Sequence, residues 1–244
     1  MDYKKTILYS VVILAVALVV GLFIHGYEMG TRAKTNGLTV TGSVKKSVIA
    51  DLGKWNASFT NRADIRNLKQ TLEQNTSIKT KLTNYLKDLG IKEEDINFLT
   101  VQINPVYEQL VGWGYTQNII GYNVVQNVKV QSNDISIIEK LSDQTTDLLN
   151  LGIVPDYQNT EYFYTKLNEL RPELFAEATK DAYVRAKAMV SGTGSKVGNL
   201  INAKTGVIQI LPPNSIDISD YGAYDLSTKE KEISATVSVT FALK

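Results

Sequence analysis

The segment GYNVVQNVKV, residues 121–130, alternates apolar and polar side chains, and ISATVSVTFAL, residues 233–243, repeats this alternation near the end of the chain. Because successive side chains of a β-strand point to opposite faces, a period of two predicts strands with one face in a core. Neither segment carries a residue typical of a catalytic site. We therefore interpret both as scaffold strands of a largely antiparallel sheet.

Working outward, the remaining segments alternate between strand and helix patterns. LTVTGS (38–43) and KWNASFTNRA (54–63) read as a pair of strands. Helical periodicity predicts three long helices, at 64–90, 134–152 and 171–194. The predicted fold class is α+β: mixed, largely antiparallel sheets packed with three long helices and preceded by one N-terminal transmembrane helix.

The N-terminal run from Ile7 to Ile24 has eighteen residues without a charge. As a helix it would be about 27 Å long, close to the thickness of a bilayer's hydrocarbon core. We predict an uncleaved anchor; a cleaved secretory signal and a buried helix of a soluble domain are the alternatives. Lys4 and Lys5 favour a cytoplasmic N-terminus. The predicted order is a cytoplasmic tail (1–6), a transmembrane anchor (7–24), a tether (25–37) and an extracytoplasmic domain (38–244) in the cell membrane.

Composition excludes several classes of function. Twenty-six Lys and Arg balance 25 Asp and Glu, so the formal net charge is +1. A chain with this charge has no strong positive electrostatic field that would attract nucleic acid. The chain has no cysteine, and its single histidine, His25, abuts the apolar run. Ser-His and Cys-His pairs and His-based or Cys-based metal clusters therefore cannot be assembled from this sequence. We expect no catalytic residues, no cofactor and no metal.

Acidic and glycine-rich clusters fit structural roles better than chemical ones. The KEED segment, with Glu93, Glu94 and Asp95, is interpreted as a solvated turn rather than an acid-base pair. The Gly192–Gly194 segment ends a predicted helix, whereas a phosphate loop must begin one. Asp217, Asp220 and Asp225 have a spacing that departs from that of a calcium loop, which is the less favoured reading.

Three alanines recur at every fourth position of the third predicted helix: Ala178, Ala182 and Ala186. Such a ridge has almost no side-chain height, so it lets the helix approach a sheet or another helix closely. The alternative is that alanine stands there only as a good helix former. We favour the packing interpretation and expect a larger residue on this alanine ridge to overpack the core.

Two aromatic groups are the candidate interface. Tyr107, Trp113 and Tyr115 surround a Gly-flanked hairpin tip, where an indole is either folded back on the core or offered to a partner. Tyr162 and Tyr164 lie in the next extended segment, where aromatic residues occupy both faces. One way to bury the second face of such a strand is contact with a second subunit. We therefore predict a homo-oligomer.

The segment ATKDAYVRAKAMVSGTGSKVGNLINA, residues 178–203, resembles the signature helix of the SIMPL-domain family of extracytoplasmic bacterial proteins. LTVTGSV near the start, INPVYE and IIGYNVVQNVKV in the middle, and ISATVSVTFAL at the end follow the family's order. The residues that fit the signature are Ala178, Asp181, Ala182, Ala186, Lys187, Gly194, Val197 and Gly198. Ser191 departs from it by replacing a usual alanine. The resemblance implies an exported domain without established enzymatic chemistry, sometimes found self-assembled.

Two hypotheses about function follow. The first is a membrane-anchored, self-assembling structural protein of the cell envelope that performs no catalysis. The second is a ligand-binding or sensing module for an envelope component, built from the 107–115 hairpin and the 214–229 loop. The sequence does not identify a small ligand for it.

Overall fold

The computed structural model describes residues 9, 13–24, 37–110, 112–215 and 221–244. Residues 13–24 form helix α1, whose side chains are exposed. No helix of the described residues combines the length and the hydropathy that a membrane crossing requires. The predicted tail (1–6), part of the predicted anchor (7–8 and 10–12) and the tether up to residue 36 lie outside the described residues.

The rest of the chain is α+β, as the sequence predicts. After α1 the elements are β1 (Gly37–Ile49), β2 (Leu52–Ala63), α2 (Leu68–Asp88), a 3-10 turn (Glu93–Asp95), β3 (Ile96–Phe98), β4 (Gln102–Gln109), β5 (Tyr115–Ser132), α3 (Ile135–Asp143), α4 (Thr145–Asn150), β6 (Tyr157–Phe163), α5 (Leu167–Val190), β7 (Val197–Thr205), β8 (Gln209–Leu211) and β9 (Glu230–Leu243).

The strands form two sheets. One has five strands in the order β3-β5-β2-β6, with β4 added on β5, and its pairs are antiparallel. The other has four strands in the order β1-β9-β7, with β8 also on β9. The segments 38–43 and 54–63, which we predicted to pair with each other, therefore lie in different sheets. Alternation identifies a strand but does not identify its partner.

The predicted domain 38–244 divides into two compact units. Unit 1 contains the residues up to Val44, Phe175–Gly206 and Thr236–Lys244. Unit 2 contains Lys45–Leu174 and Val207–Ala235.

The core of unit 2 lies between the five-stranded sheet and its helices. Trp55 and Phe59 on β2 are buried against Leu82 and Leu86 of α2 and against Ile138 of α3. Because side chains alternate along β2, the residues between these positions, such as Asn56, point to the opposite face of the sheet. The five-stranded sheet therefore has one face in the core and one polar face.

The second predicted long helix is two short helices, so the prediction of three long helices is wrong in this part. α3 ends at Asp143 and α4 begins at Thr145, with Gln144 between them at φ −88 and ψ 48. The Tyr85 hydroxyl donates to Gln144 Oε1 at 2.9 Å and also lies 3.3 Å from Asp147 Oδ2. Burial, together with the Asp147 carboxylate, raises the pKa of Tyr85 to about 12. A side chain from α2 thus contacts the residue at the break and the first turn of α4, which periodicity cannot reveal.

Unit 1 places the alanine ridge in its core. Ala178, Ala182 and Ala186 are 0% exposed and pack with residues such as Val239 of β9. A Cβ added to Gly42 of β1 would collide with the backbone carbonyl oxygen of Ala178 and the backbone nitrogen of Ala182. The strand and the helix therefore touch backbone to backbone, an approach that requires small residues on both sides.

A carboxylate fixes the same helix to the strand. Asp181 Oδ2 accepts a hydrogen bond from the Ser43 backbone N–H at 2.8 Å and forms an ion pair with Arg185 Nε at 2.8 Å. Arg185 Nη2 in turn donates to Ser43 Oγ at 3.0 Å. The contacts of Asp181 therefore hold α5 in register with β1.

Candidate functional site

The β4–β5 hairpin extends beyond the other strands of its sheet. β5 pairs with β2 only from Tyr122 to Ser132. Among the described strands, the segment Tyr115–Gly121 has β4 as its only partner. We call this two-stranded projection, residues 106–110 and 112–121, the arm. An isolated two-stranded hairpin is only marginally stable in water, and no third described strand covers the edges of the arm.

The tip of the arm is a tight turn rich in glycine. The Leu110 N–H donates to the Gly114 carbonyl oxygen at 3.0 Å. Gly112 and Gly114 have φ angles of 107 and 117, a region that favours glycine. The turn holds Trp113 away from the protein, and its side chain is 100% exposed.

Three of the five predicted interface residues are brought together on this arm. Tyr115 is 71% exposed and Tyr107 is 42% exposed, and both lie on the strands that end in the Trp113 turn. Of the two sequence-based alternatives for Trp113, the structure has the indole exposed rather than folded back on the core. Large exposed aromatic groups of this kind are enriched in protein interfaces.

Tyr162 and Tyr164 lie elsewhere. Tyr162 is opposite Gly53 on β2, ten residues from Ala63, where β2 meets the base of the arm. At about 3.3 Å per residue this separation is about 33 Å. Burial raises the pKa of Tyr162, and the carboxylate of Glu139 raises it further. The structure therefore does not group these tyrosines with the arm.

The Tyr164 backbone is held by a second tyrosine. Its N–H donates to the Tyr224 hydroxyl at 3.1 Å, and that hydroxyl donates to the Tyr164 carbonyl oxygen, with an oxygen–oxygen distance of 3.2 Å. Tyr164 is half-buried. This contact joins the end of β6 to the 214–229 loop within unit 2.

The described part of the 214–229 loop is organised around Asp225. Its Oδ1 accepts from the Ser227 backbone N–H at 3.0 Å and from Ser227 Oγ at 2.7 Å. Its Oδ2 accepts from the Thr228 backbone N–H at 3.2 Å, from Thr228 Oγ1 and from Lys231 Nζ at 3.1 Å. Both oxygens are thus occupied by the protein itself. The other two candidate calcium ligands, Asp217 and Asp220, lie outside the described residues.

Lys231 is the buried partner of Asp225. Its side chain is 0% exposed, that of Asp225 is 8% exposed, and Lys231 Nζ also donates to the Asp225 carbonyl oxygen at 2.6 Å. Burial alone would raise the pKa of Asp225, but the hydrogen bonds from Thr228, Ser227 and Lys231 hold it well below its usual range. The carboxylate therefore stays ionised in the folded protein.

This shift predicts a specific loss of stability in acid. The unfolded chain, with an Asp pKa of about 3.9, takes up the proton first as pH falls. The free energy of unfolding should therefore decrease below about pH 4, by up to about 1.4 kcal/mol per pH unit for this single group. Urea unfolding between pH 5 and pH 2.5 measures the slope. The variant Asp225→Asn lacks the group, and parallel curves for the two proteins would contradict the prediction.

The acidic turn at 93–95 has only surface contacts. Glu93 pairs with Lys87 at 2.9 Å and Glu94 with Lys92 at 3.5 Å, while Asp95 Oδ1 accepts from Gln131 Nε2 at 2.9 Å. Hydrogen bonding to Lys87 lowers the pKa of Glu93. Across the described residues no group of three or more acidic or histidine side chains is arranged to hold a metal. His25 lies outside them.

The Asp225–Lys231 pair escaped the sequence analysis, although a signal for it exists. Residues 233, 235, 237, 239 and 241 form the buried face of β9, and Lys231 continues the same alternation by two more residues. A lysine on the buried face of a strand needs a carboxylate or another acceptor nearby. The alternation of β9 therefore indicates that Lys231 is buried and that the acidic loop just before the strand is a source of its partner.

Comparison with known proteins gives a family but no function. A search of curated proteins found no match. The model of the SIMPL family, described as a protein of unknown function (DUF541), matches residues 38–241. The match covers both units, including the arm, the alanine ridge and the Asp225–Lys231 pair. The chain therefore belongs to the SIMPL family.

Proposed function

We propose that this SIMPL domain is a membrane-anchored, self-assembling component of the cell envelope, and that copies associate through the arm. The observation that carries the proposal is the complete exposure of Trp113 at the end of a two-stranded projection. Residues 7–24 supply the anchor, with the domain on the extracytoplasmic side. The proposed role includes no catalytic step.

The arm has the composition of an interface centre. Leu110 and Ile120 are exposed on the same projection as Trp113 and the two tyrosines. Trp and Tyr are over-represented among the residues that dominate binding energies, because they bury a large area for few rotatable bonds. Burial of this surface by a partner would also protect the unpaired edges of the arm from nonspecific pairing.

A second copy of the chain is the occupant that we propose. With a formal net charge of +1, copies meet little long-range repulsion. Attachment of every copy to one membrane by a short tether would raise the local concentration, so even a modest interface would be populated. The sequence resembles a family whose domains are sometimes found self-assembled, and this supports the same choice.

The expected result is a defined oligomer that depends on Trp113. Light scattering coupled to size-exclusion chromatography of the full chain in a polyoxyethylene detergent gives the protein mass. We expect a multiple of the 27.0 kDa chain mass for the parent. For Trp113→Ala we expect dissociation constants raised by tenfold or more, because hot-spot truncations cost about 2 kcal/mol or more.

A matched control uses another exposed aromatic residue. Tyr157 is 57% exposed on β6, away from the arm, and Tyr157→Ala should leave the oligomer mass unchanged. A strictly monomeric parent at tens of micromolar would overturn the assembly proposal. If the oligomer mass and its concentration dependence were unchanged in Trp113→Ala, copies would associate through a surface other than the arm.

A further inference from the structure

The two halves of α2 are docked on the five-stranded sheet by different kinds of residue. In the second half, Leu82 and Leu86 are 0% exposed and lie in the apolar core of unit 2. In the first half, residues 68–77, the buried side chains are those of Thr71 and Asn75. The structure describes all of this half, and none of its residues belongs to that apolar core. We call residues 68–77 the latch.

The sheet is also polar where the latch lies on it. Gln126 of β5 is 0% exposed, and the half-buried Asn61 of β2 lies diagonally across the ladder from it on the same face. Asn75 Nδ2 donates to Gln126 Oε1 across a long distance of 3.3 Å. The latch is therefore held on the sheet by polar contacts in place of apolar packing.

Several buried polar atoms around this contact lack partners. Asn61 Nδ2, Asn67 Oδ1 and Asn75 Oδ1 are buried, and none of the three has a hydrogen-bond partner within the part of the chain that the structure describes. A buried polar group without a partner has lost its hydrogen bonds to water, so each of these atoms opposes docking of the latch. Separation of the latch from the sheet would return all three to water.

The two ends of α2 also differ. At the C-terminal end the N–H groups of Gly90, which has a φ of 94, and Ile91 donate to the carbonyl oxygens of Lys87 and Leu86 at 2.9 and 3.0 Å. This pair of bonds satisfies the last carbonyl groups of the helix. At the N-terminal end the Asn67 side chain forms no capping hydrogen bond with the described residues, and the sequence of the first turn contains no acidic residue. The latch therefore forms the less stable end of α2.

The sequence of the latch has a weak intrinsic preference for helix. Four of its ten residues are Thr, Asn or Ser, which are poorer helix formers than alanine or leucine. The Thr76 hydroxyl donates to the Leu72 carbonyl oxygen at 3.0 Å, a bond that competes with the backbone ladder of the helix. A short helical segment of this kind depends on docking for its stability.

Gln126 connects the latch to the base of the arm. Its Oε1 accepts from Asn75, and its Nε2 donates to the Leu99 carbonyl oxygen at 2.7 Å. Leu99 lies in the connection between β3 and β4, and β4 continues into the arm. If Asn75 moves away, Gln126 Oε1 becomes open to water, and the carboxamide is no longer fixed in the orientation that holds Leu99.

From these contacts we propose that the latch is a conformational device. It undocks and unfolds as one unit while the second half of α2 stays on the core, and its opening loosens the connection that leads into the arm. Segments with few buried apolar contacts are the ones that open locally in folded proteins. The opening gives the arm an adjustable base, and it does not require that copies of the chain associate.

Amide hydrogen exchange of the full chain in detergent tests the opening. Mass spectrometry with electron-transfer fragmentation resolves single amides. We expect the amides of residues 72–77 to share similar protection and to exchange at least tenfold faster than those of residues 79–86. Simple fraying would instead give protection that rises residue by residue along the latch, and opening of α2 as a whole would give equal protection in both halves. Either result would overturn the proposal.

Two threonines one turn apart provide matched variants. Thr76 and Thr80 are both exposed, and each hydroxyl donates to the carbonyl oxygen four residues earlier. Thr76→Ala raises helix propensity inside the latch, so it should slow exchange of residues 72–77 about threefold. Thr80→Ala makes the same change where the helix stays formed in the open state, so it should leave that exchange unchanged. Equal slowing by the two variants would contradict an opening limited to the latch.

The Leu99 amide reports whether the latch is coupled to the arm. Its N–H donates to the Asn127 carbonyl oxygen at 3.0 Å, so it exchanges when the connection between β3 and β4 loosens. Thr76→Ala should slow this exchange by the same factor of about three, because the two segments open together. An unchanged Leu99 rate in Thr76→Ala would overturn the coupling. Trp113→Ala should change the oligomer mass but neither exchange rate, so the two proposals fail independently.

Discussion

Replacement of Asp225 by alanine is expected to destabilise the protein by about 3–5 kcal/mol, the usual cost of breaking a buried ion pair by removing one partner. The remaining Lys231 ammonium is 0% exposed and would keep only the residue-225 carbonyl oxygen as an acceptor. The backbone N–H groups of Ser227 and Thr228 would lose their acceptor as well. Urea unfolding of a fragment spanning residues 37–244 measures the loss.

Two further variants separate the buried charge from other effects. Lys231→Met in the Asp225→Ala background removes the ammonium while keeping a long apolar stem, so it should recover a large part of the loss. Glu139→Ala breaks the neighbouring ion pair with Lys229. The side chain of Lys229 is 43% exposed and that of Glu139 is 38% exposed. That exposed pair should contribute less than about 1 kcal/mol. Equal losses for Asp225→Ala and Glu139→Ala would contradict a special role for the buried pair.

The sequence predicted the fold class because strand alternation and helix periodicity are local properties. The segments 121–130 and 233–243 lie within β5 and β9, and the predicted helix at 171–194 overlaps α5 over residues 171–190. The pairing of β1 with β9 rather than with β2 depends on contacts between distant parts of the chain. Those contacts leave no mark in a single strand's pattern.

Periodicity also failed where buried residues are polar. Thr71 and Asn75 lie on the buried face of α2, and Asn75 Nδ2 donates to the buried Gln126 Oε1 at 3.3 Å. A search for apolar residues at helical spacing assigns such positions to solvent. The partner, Gln126, is on β5, and only the folded structure brings the two together.

The surfaces of the protein differ in how far they can be read from sequence. Trp113, between two glycines, is visible as an unusual hairpin tip, and its exposure agrees with one of the two predicted alternatives. The polar face of the five-stranded sheet brings together Asn56, Asn127 and Asn159, which are far apart in the chain. Each is a single polar residue at an outward position. Only strand register shows that they share a face.

Ala182→Leu is the second large effect that we expect, with a loss of about 1–3 kcal/mol from overpacking. Ala182 is 0% exposed, and a Cβ on Gly42 would lie 2.8 Å from the Ala182 Cβ, so no space exists between β1 and α5 for added carbons. The leucine side chain must push the helix away from the strand. That movement would strain the hydrogen bond between Asp181 and the Ser43 N–H.

The same substitution on the exposed side of α5 is the matched control. Ala188 lies on the same helix but is exposed, and leucine has nearly the same helix propensity as alanine. Ala188→Leu should therefore change the free energy of unfolding by less than about 0.5 kcal/mol. Urea midpoints of the 37–244 fragment give both values. If Ala182→Leu matched Ala188→Leu, the alanine ridge would owe its composition to helix propensity alone; a loss confined to Ala182→Leu would mean that close backbone contact with Gly42 selects alanine there.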